Sequence, residues 1–148
     1  MKKTMLALAV MIMLSVSQLY AGEEKVSPKV LNAFHTEFTN AKEVSWTVNP
    51  NYYKASFSMS GQIIFAYYSP EGEFMGLSRN LTTMQLPLSL MKGIQKNFSE
   101  DYWVSDLFEM STSEGSSYYI TLENADTVTV LKSSGNDSWT VFEKRRKV

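Results

Sequence analysis

The chain has 148 residues, with 14 basic and 15 acidic side chains and a formal charge of −1. It contains no cysteine, which excludes a thiol enzyme, a zinc ribbon and a disulfide scaffold, so an ordinary hydrophobic core must hold it together. A charge this close to zero argues against general affinity for nucleic acid or for anionic membrane.

Lys2 and Lys3 precede an apolar stretch from Met5 to Val16, and the polar run "SQLYA" leads to Ala21. This is the pattern of a secretory signal peptide over residues 1–21, too short for a stable membrane span. No cysteine follows it, which excludes a lipid-anchored lipoprotein. The expected mature chain starts at Gly22, is periplasmic or secreted, and has 127 residues, about one domain. With Lys2 and Lys3 gone it carries 12 basic against 15 acidic side chains, and 18 of the aromatic residues remain.

Ser27-Pro28 reads as an N-cap with proline in the first helical position. Val30, Phe34 and Phe38 recur every fourth residue and predict a helix of about three turns, closed by Thr39-Asn40. The period then changes to two. "EVSWTV", "YYKASFSM" and "QIIFAYY" read as strands separated by Asn49-Pro50-Asn51 and by Gly61, and Ser69-Pro70-Glu71-Gly72 is a turn before "EFMGL".

The same order follows again. Pro87 opens a helix with Leu90, Ile94 and Phe98, and the strands "WVSDLFEM", "GSSYYITLE", "DTVTVL" and "SWTVF" come after it. From Tyr53 onward the halves align without a gap at a shift of 65, whereas the helices align at 60. The extra residues are expected in the loop around "STSEGSS". Two repeats, about 27–80 and 86–143, are therefore expected. They imply an α+β protein with helices packed on one face of an antiparallel sheet.

Alternation assigns the faces. Tyr118, Ile120 and Leu122, together with Val128 and Val130, are expected to point to the core. Carried back by 65, this puts Tyr53, Ala55, Phe57, Ile63 and Phe65 inward. Ile64, Ala66 and Tyr68 then form an apolar outer face. The candidate binding surface on this reading is Tyr52, Ile64, Tyr68 and Met75.

The helix ending in an aromatic, "WTVNPNYYKASF" from Trp46, "YYSPEG", the Leu86-Pro87 pair and "YYITL" together resemble the PepSY-like, β-lactamase-inhibitor-like exported proteins of Gram-negative bacteria. The resemblance spans about Ser27 to Phe142. It implies two tandem helix-plus-sheet units and brings no catalytic motif. No tryptophan stands at the place equivalent to Trp46 in the second half, where Asp106 or Phe108 is expected.

The search for chemistry finds little. His35 is the one histidine and reads as a helix-boundary residue. Glu71 and Glu73 flank a turn and offer too few oxygens for calcium. Glu100-Asp101 are adjacent and point apart, and no Gly-x-Ser-x-Gly or phosphate loop occurs. The basic tail from Lys144 to Lys147 reads as a frayed terminus after the last strand. No enzyme, cofactor or metal is expected. The expectation is a binding protein whose sheet face holds a protein or peptide partner. The alternative is a small-ligand carrier with an apolar cavity between sheet and helices.

Overall fold

The computed structural model describes residues 20–98, 100–135 and 138–148. All but the last two residues of the expected leader fall outside the described residues. Among the described residues no helix is long and apolar enough to cross a membrane. The chain divides into two compact units between Leu77 and Ser78.

In the first unit, helix α1 spans Pro28–Glu37, and the strands are β1 (Tyr20–Ala21), β2 (Lys42–Val48), β3 (Tyr53–Met59) and β4 (Gln62–Tyr68). Strand β5 (Phe74–Asn80) runs across the division. Ser27 caps α1 as its spacing predicts, its hydroxyl accepting from the Val30 N–H at 3.4 Å, with Pro28 in the first turn. The helical stripe Val30, Phe34 and Phe38 buries against Trp46, Ala55, Phe57, Ala66 and Tyr68.

Strands β2, β3 and β4 pair antiparallel in sequence order. The β3–β4 turn holds Ser60 and Gly61 with φ of 52° and 76°. Two consecutive left-handed residues make the hairpin turn whose twist suits antiparallel strands. A Cβ at Gly61 would meet nothing within 4 Å, so backbone strain alone sets the cost of filling it. Gly61→Ala is therefore expected to lower stability by about 1 kcal/mol, measured by thermal denaturation.

The second unit has helix α2 (Leu88–Asn97) and strands β6 (Trp103–Thr112), β7 (Gly115–Glu123), β8 (Thr127–Ser133) and β9 (Thr140–Arg146). Its core is aliphatic where the first is aromatic: Leu86, Leu107, Ile120, Leu122 and Leu131 are buried, with Ile94, Phe98 and Trp139 packed on them. Trp139 locks the helix in place. Its indole N–H donates to the Leu90 carbonyl at 2.8 Å, and its ring lies where a Cβ on Gly93 would come within 3.2 Å. Glycine permits that approach.

The α+β class and the helix-then-strands order of each unit are as expected. Four details differ. First, the face assignment is reversed along β4 and β8. Counting outward from the Ser60-Gly61 turn, Phe57 pairs with Ile64, Ala55 with Ala66 and Tyr53 with Tyr68. Residues directly opposite share a face, so Ile64 and Tyr68 lie under α1, while Ile63 and Phe65 lie on the open side. In β8 the same rule puts Thr129 and Leu131 with Leu122 and Ile120, and Val128 and Val130 with Glu123 and Thr121 on the open side.

Second, the extra residues of the second half do not form a loop. Four of the five lengthen the β6–β7 hairpin, in which Met110 pairs with Ser117 and Thr112 with Gly115, and the fifth precedes Leu107. Third, Trp46 pairs with Ala55, and the matching pair is Leu107 with Ile120, so Leu107 takes the place of Trp46, between the two expected candidates. Fourth, the basic tail is ordered. Lys144 to Arg146 belong to β9 and pair with Thr127 to Thr129. Lys147 follows, its N–H donating to the Asp126 carbonyl at 2.8 Å, its ammonium 2.8 Å from Glu123 and 4.5 Å from the Trp103 ring centre.

Candidate functional site

The expected surface divides. Tyr68 is fully buried, with its ring on Phe34, Trp46 and Phe74, and Ile64 packs against the same core. These two build the fold. Tyr52 lies on the side away from α1, its ring 5.8 Å from that of Tyr67, and is itself buried. Met75, in β5, is half-buried.

The open side of the first unit is best described from β3 and β4. Lys54, Ser56 and Ser58 alternate with the core residues of β3, and Ile63, Phe65 and Tyr67 alternate with those of β4. Lys54 stands opposite Tyr67 and leans over Phe65, its ammonium 4.7 Å from the ring centre. Partial burial pushes the Lys54 pKa down. The ring's negative face offsets part of that desolvation, so the ammonium is held rather than swinging in solvent. Ile63 at the end of the row is 54% exposed, which is high for a strand isoleucine. Lys54, Phe65 and Ile63 thus form a row, with the serines of β3 beside it, that continues from the buried Tyr67 and Tyr52.

The second unit has a corresponding side away from its core cluster, on which Phe108 and Tyr119 are buried. Phe108 and Tyr119 stand opposite one another and stack at 5.1 Å with 13° between their planes, and Phe142 meets Tyr119 edge-on at 5.6 Å. Lys132 stands opposite Tyr119, its ammonium 5.5 Å from the ring centre. Both units therefore carry a cross-strand lysine–tyrosine pair on the open side, Lys54–Tyr67 and Tyr119–Lys132, with the two residues exchanged between strands. Phe108, Met110, Tyr119, Val128 and Val130 make this side of the second unit apolar as well, and all five are buried.

Sequence reasoning missed Lys54, Phe65, Ile63 and Tyr67. The signal was the two-residue Ser60-Gly61 turn. Its register assigns every β4 side chain to a face without any appeal to hydrophobicity.

Elsewhere the chemistry is sparse. His35 is exposed on α1, edge-on to Phe34 at 5.6 Å. Glu71 and Glu73 are exposed, and their backbone N–H groups both donate to the Ser69 hydroxyl at 3.2 Å, which closes the predicted turn. Among the described residues no group of three or more histidine, aspartate or glutamate side chains could hold a metal ion. The second unit has a groove of about 350 Å³ lined by Asn80–Thr83 and Val104–Leu107. It lies between strand ends and carries hydroxyls, an amide and the Asp106 carboxyl, unlike the apolar cavity expected beneath a helix. Desolvation in the groove raises the Asp106 pKa, and the Leu107 N–H opposes that by donating to the carboxylate.

No protein-family profile matches the chain, and no curated protein does. Solved structures do. A proposed periplasmic protein from Bacteroides eggerthii superposes with a TM-score of 0.70 at 15% identity, over 82% of this chain and 88% of its own. A BLIP-like protein from Bacteroides fragilis gives 0.66 at 15% identity over 81% and 85%. A DUF2874 family protein from Bacteroides ovatus gives 0.70 at 15% identity over 80% and 86%. At such identities the likeness is one of fold, and the chain has the α+β fold of these BLIP-like and DUF2874 family proteins.

Proposed function

We propose that the protein is an exported, non-enzymatic binding protein of the PepSY-like kind, an inhibitor-like module that holds a protein or peptide partner through the open side of its sheet. The observation that carries this reading is the row Lys54, Phe65 and Ile63, which continues from the buried Tyr67. Aromatic and aliphatic anchors beside a partly desolvated cation are the composition of binding hot spots, and a lysine already held against a ring loses little freedom when a partner covers it. The leader pattern over residues 1–21 and the proposed periplasmic neighbour support export. The hairpin registers support descent from a duplication. Tyr53–Tyr68 and Tyr118–Ser133, Ala55–Ala66 and Ile120–Leu131, and Phe57–Ile64 and Leu122–Thr129 all differ by 65.

Residues 22–148 immobilised as bait are expected to retain a partner from native envelope or culture-supernatant extract. An Ile63→Ser/Phe65→Ser bait of unchanged melting temperature should recover it at least about tenfold less well, as loss of roughly 1.4 kcal/mol or more implies. Equal recovery by the two baits would remove the open side as the binding surface.

A second reading, a small-ligand carrier, is favoured by the groove of about 350 Å³ at Asn80–Thr83 and Val104–Leu107. Its lining suits a hydroxylated ligand rather than an apolar one. A melting-temperature shift with such ligands, kept in the Ile63→Ser/Phe65→Ser variant, would favour it.

A further inference from the structure

The geometry points to the outer edge of β2 as a second, strand-adding site: once the leader is removed, it takes an extended, uncharged peptide segment of a partner in antiparallel pairing. This rests on the proposed cleavage after Ala21. Its carrier observation is that the chain already seats such a segment there. Tyr20 and Ala21 form β1 and pair antiparallel with β2, Tyr20 opposite Thr47 and Ala21 opposite Trp46. Both residues belong to the expected leader, so cleavage vacates the edge they occupy.

Backbone alternation says which groups are then unpaired. The Asn49 N–H donates to the Tyr52 carbonyl at 3.0 Å at the head of the β2–β3 hairpin. Counting back through the register of β2 with β3, Thr47 and Ser45 turn their N–H and carbonyl groups toward β3. Trp46 and Val48 therefore turn theirs outward. Trp46 is held rigidly by burial, so its outward backbone groups are presented in fixed positions. Such a row of oriented donors and acceptors is the template used in strand addition.

The edge is also unguarded where it is open. Strand edges are commonly blunted by charge or by a bulge. At β9, which ends the second unit, Lys144, Arg145 and Arg146 do this. In β2 the charges stop at Glu43, which has φ of 53° within the register break between Lys42 and Ser45. From Ser45 to Val48 no charge, proline or bulge protects the edge. The break also limits the occupant to about four or five residues, because pairing cannot run past it in register. A partner residue opposite Trp46 shares the face of Trp46 and must be small or apolar, whereas one opposite Thr47 faces the open side.

The test compares residues 22–148 with residues 17–148, which retain the segment, by amide hydrogen exchange. The expected result is exchange at Trp46 and Val48 at least about tenfold faster in 22–148, with Ser45 and Thr47 alike in both. Adding the synthetic peptide VSQLYAG, residues 16–22, should restore slow exchange in a saturable way. The same peptide N-methylated at the alanine should not, because its donor to the Trp46 carbonyl is gone. Val48→Pro should also abolish the effect, since proline at an outward-facing N–H removes an edge donor and leaves the β3 side intact. Equal exchange at Trp46 and Val48 in the two chains would overturn the proposal. So would peptide protection indifferent to N-methylation. Neither outcome depends on the Ile63 and Phe65 face, whose failure shows separately in the bait comparison.

Discussion

Tyr68→Ser is expected to lower the free energy of unfolding by about 3–5 kcal/mol, measured by urea denaturation with an unchanged slope. The side chain is 0% exposed and its ring meets those of Phe34, Trp46 and Phe74, so truncation leaves a cavity against α1 that the aromatic walls cannot collapse to fill. A loss below about 1 kcal/mol would be the mark of a surface residue and would sink the register assignment of β4. Tyr68→Phe is expected to behave oppositely. The Tyr68 hydroxyl is buried and finds no hydrogen-bond partner among the described residues. Removing it while keeping the ring should leave stability unchanged or raise it by about 1 kcal/mol.

The same hydroxyl gives a pH dependence. Burial, and then the negative charge of Glu37, raise the Tyr68 pKa far above its ordinary value of 10.0. The group is neutral when protonated and its folded pKa is the raised one. Its contribution is therefore fully present below about pH 10 and is lost as pH rises above that, where the unfolded chain releases the proton and the folded chain does not. Tyr52, raised by burial alone, adds to the same window. Denaturation curves from pH 8 to 11 should fall steeply for the native chain and less so for Tyr68→Phe.

The order of elements was legible because each helix announces itself chemically. Ser27-Pro28 and the four-residue spacing of Val30, Phe34 and Phe38 allow no strand. The faces of β4 and β8 were not legible from hydrophobicity, because both sides of those strands carry apolar residues. "QIIFAYY" has no polar phase after Gln62, and in "TVTV" the threonine Thr129 is the residue that sits with the core while valine faces away. Register decides such strands, and register is set by the turn. The candidate surface inherited this error at Ile64 and Tyr68, and Tyr52, outside the mis-phased strand, is also buried rather than exposed. The ordering of Lys144 to Arg146 was hidden for a related reason. Their strand is held by backbone pairing to β8 and by the Lys147–Glu123 contact, neither of which has a local composition signature.

Phe34→Ala carries the other large expectation. Phe34 is the hub of the first unit's core, with ring centres 5.2 Å from Trp46 and from Phe57 in edge-to-face contact and 5.4 Å from Phe38. The cost should be about 3–5 kcal/mol, since cavity formation is joined by aromatic pairs each contributing about 0.5–1.5 kcal/mol beyond area. The residue sixty positions on, Ile94, occupies the same turn of α2 but is only half-buried, against leucines that can shift to fill space. Ile94→Ala should therefore cost about 2 kcal/mol, near the low end for such truncations. If the two variants proved equally costly by denaturant titration, the aromatic cluster would not be the organising contact of its unit. A clear excess for Phe34 would show that one helix–sheet plan is stabilised by interlocked rings in the first unit and by adaptable aliphatic packing in the second.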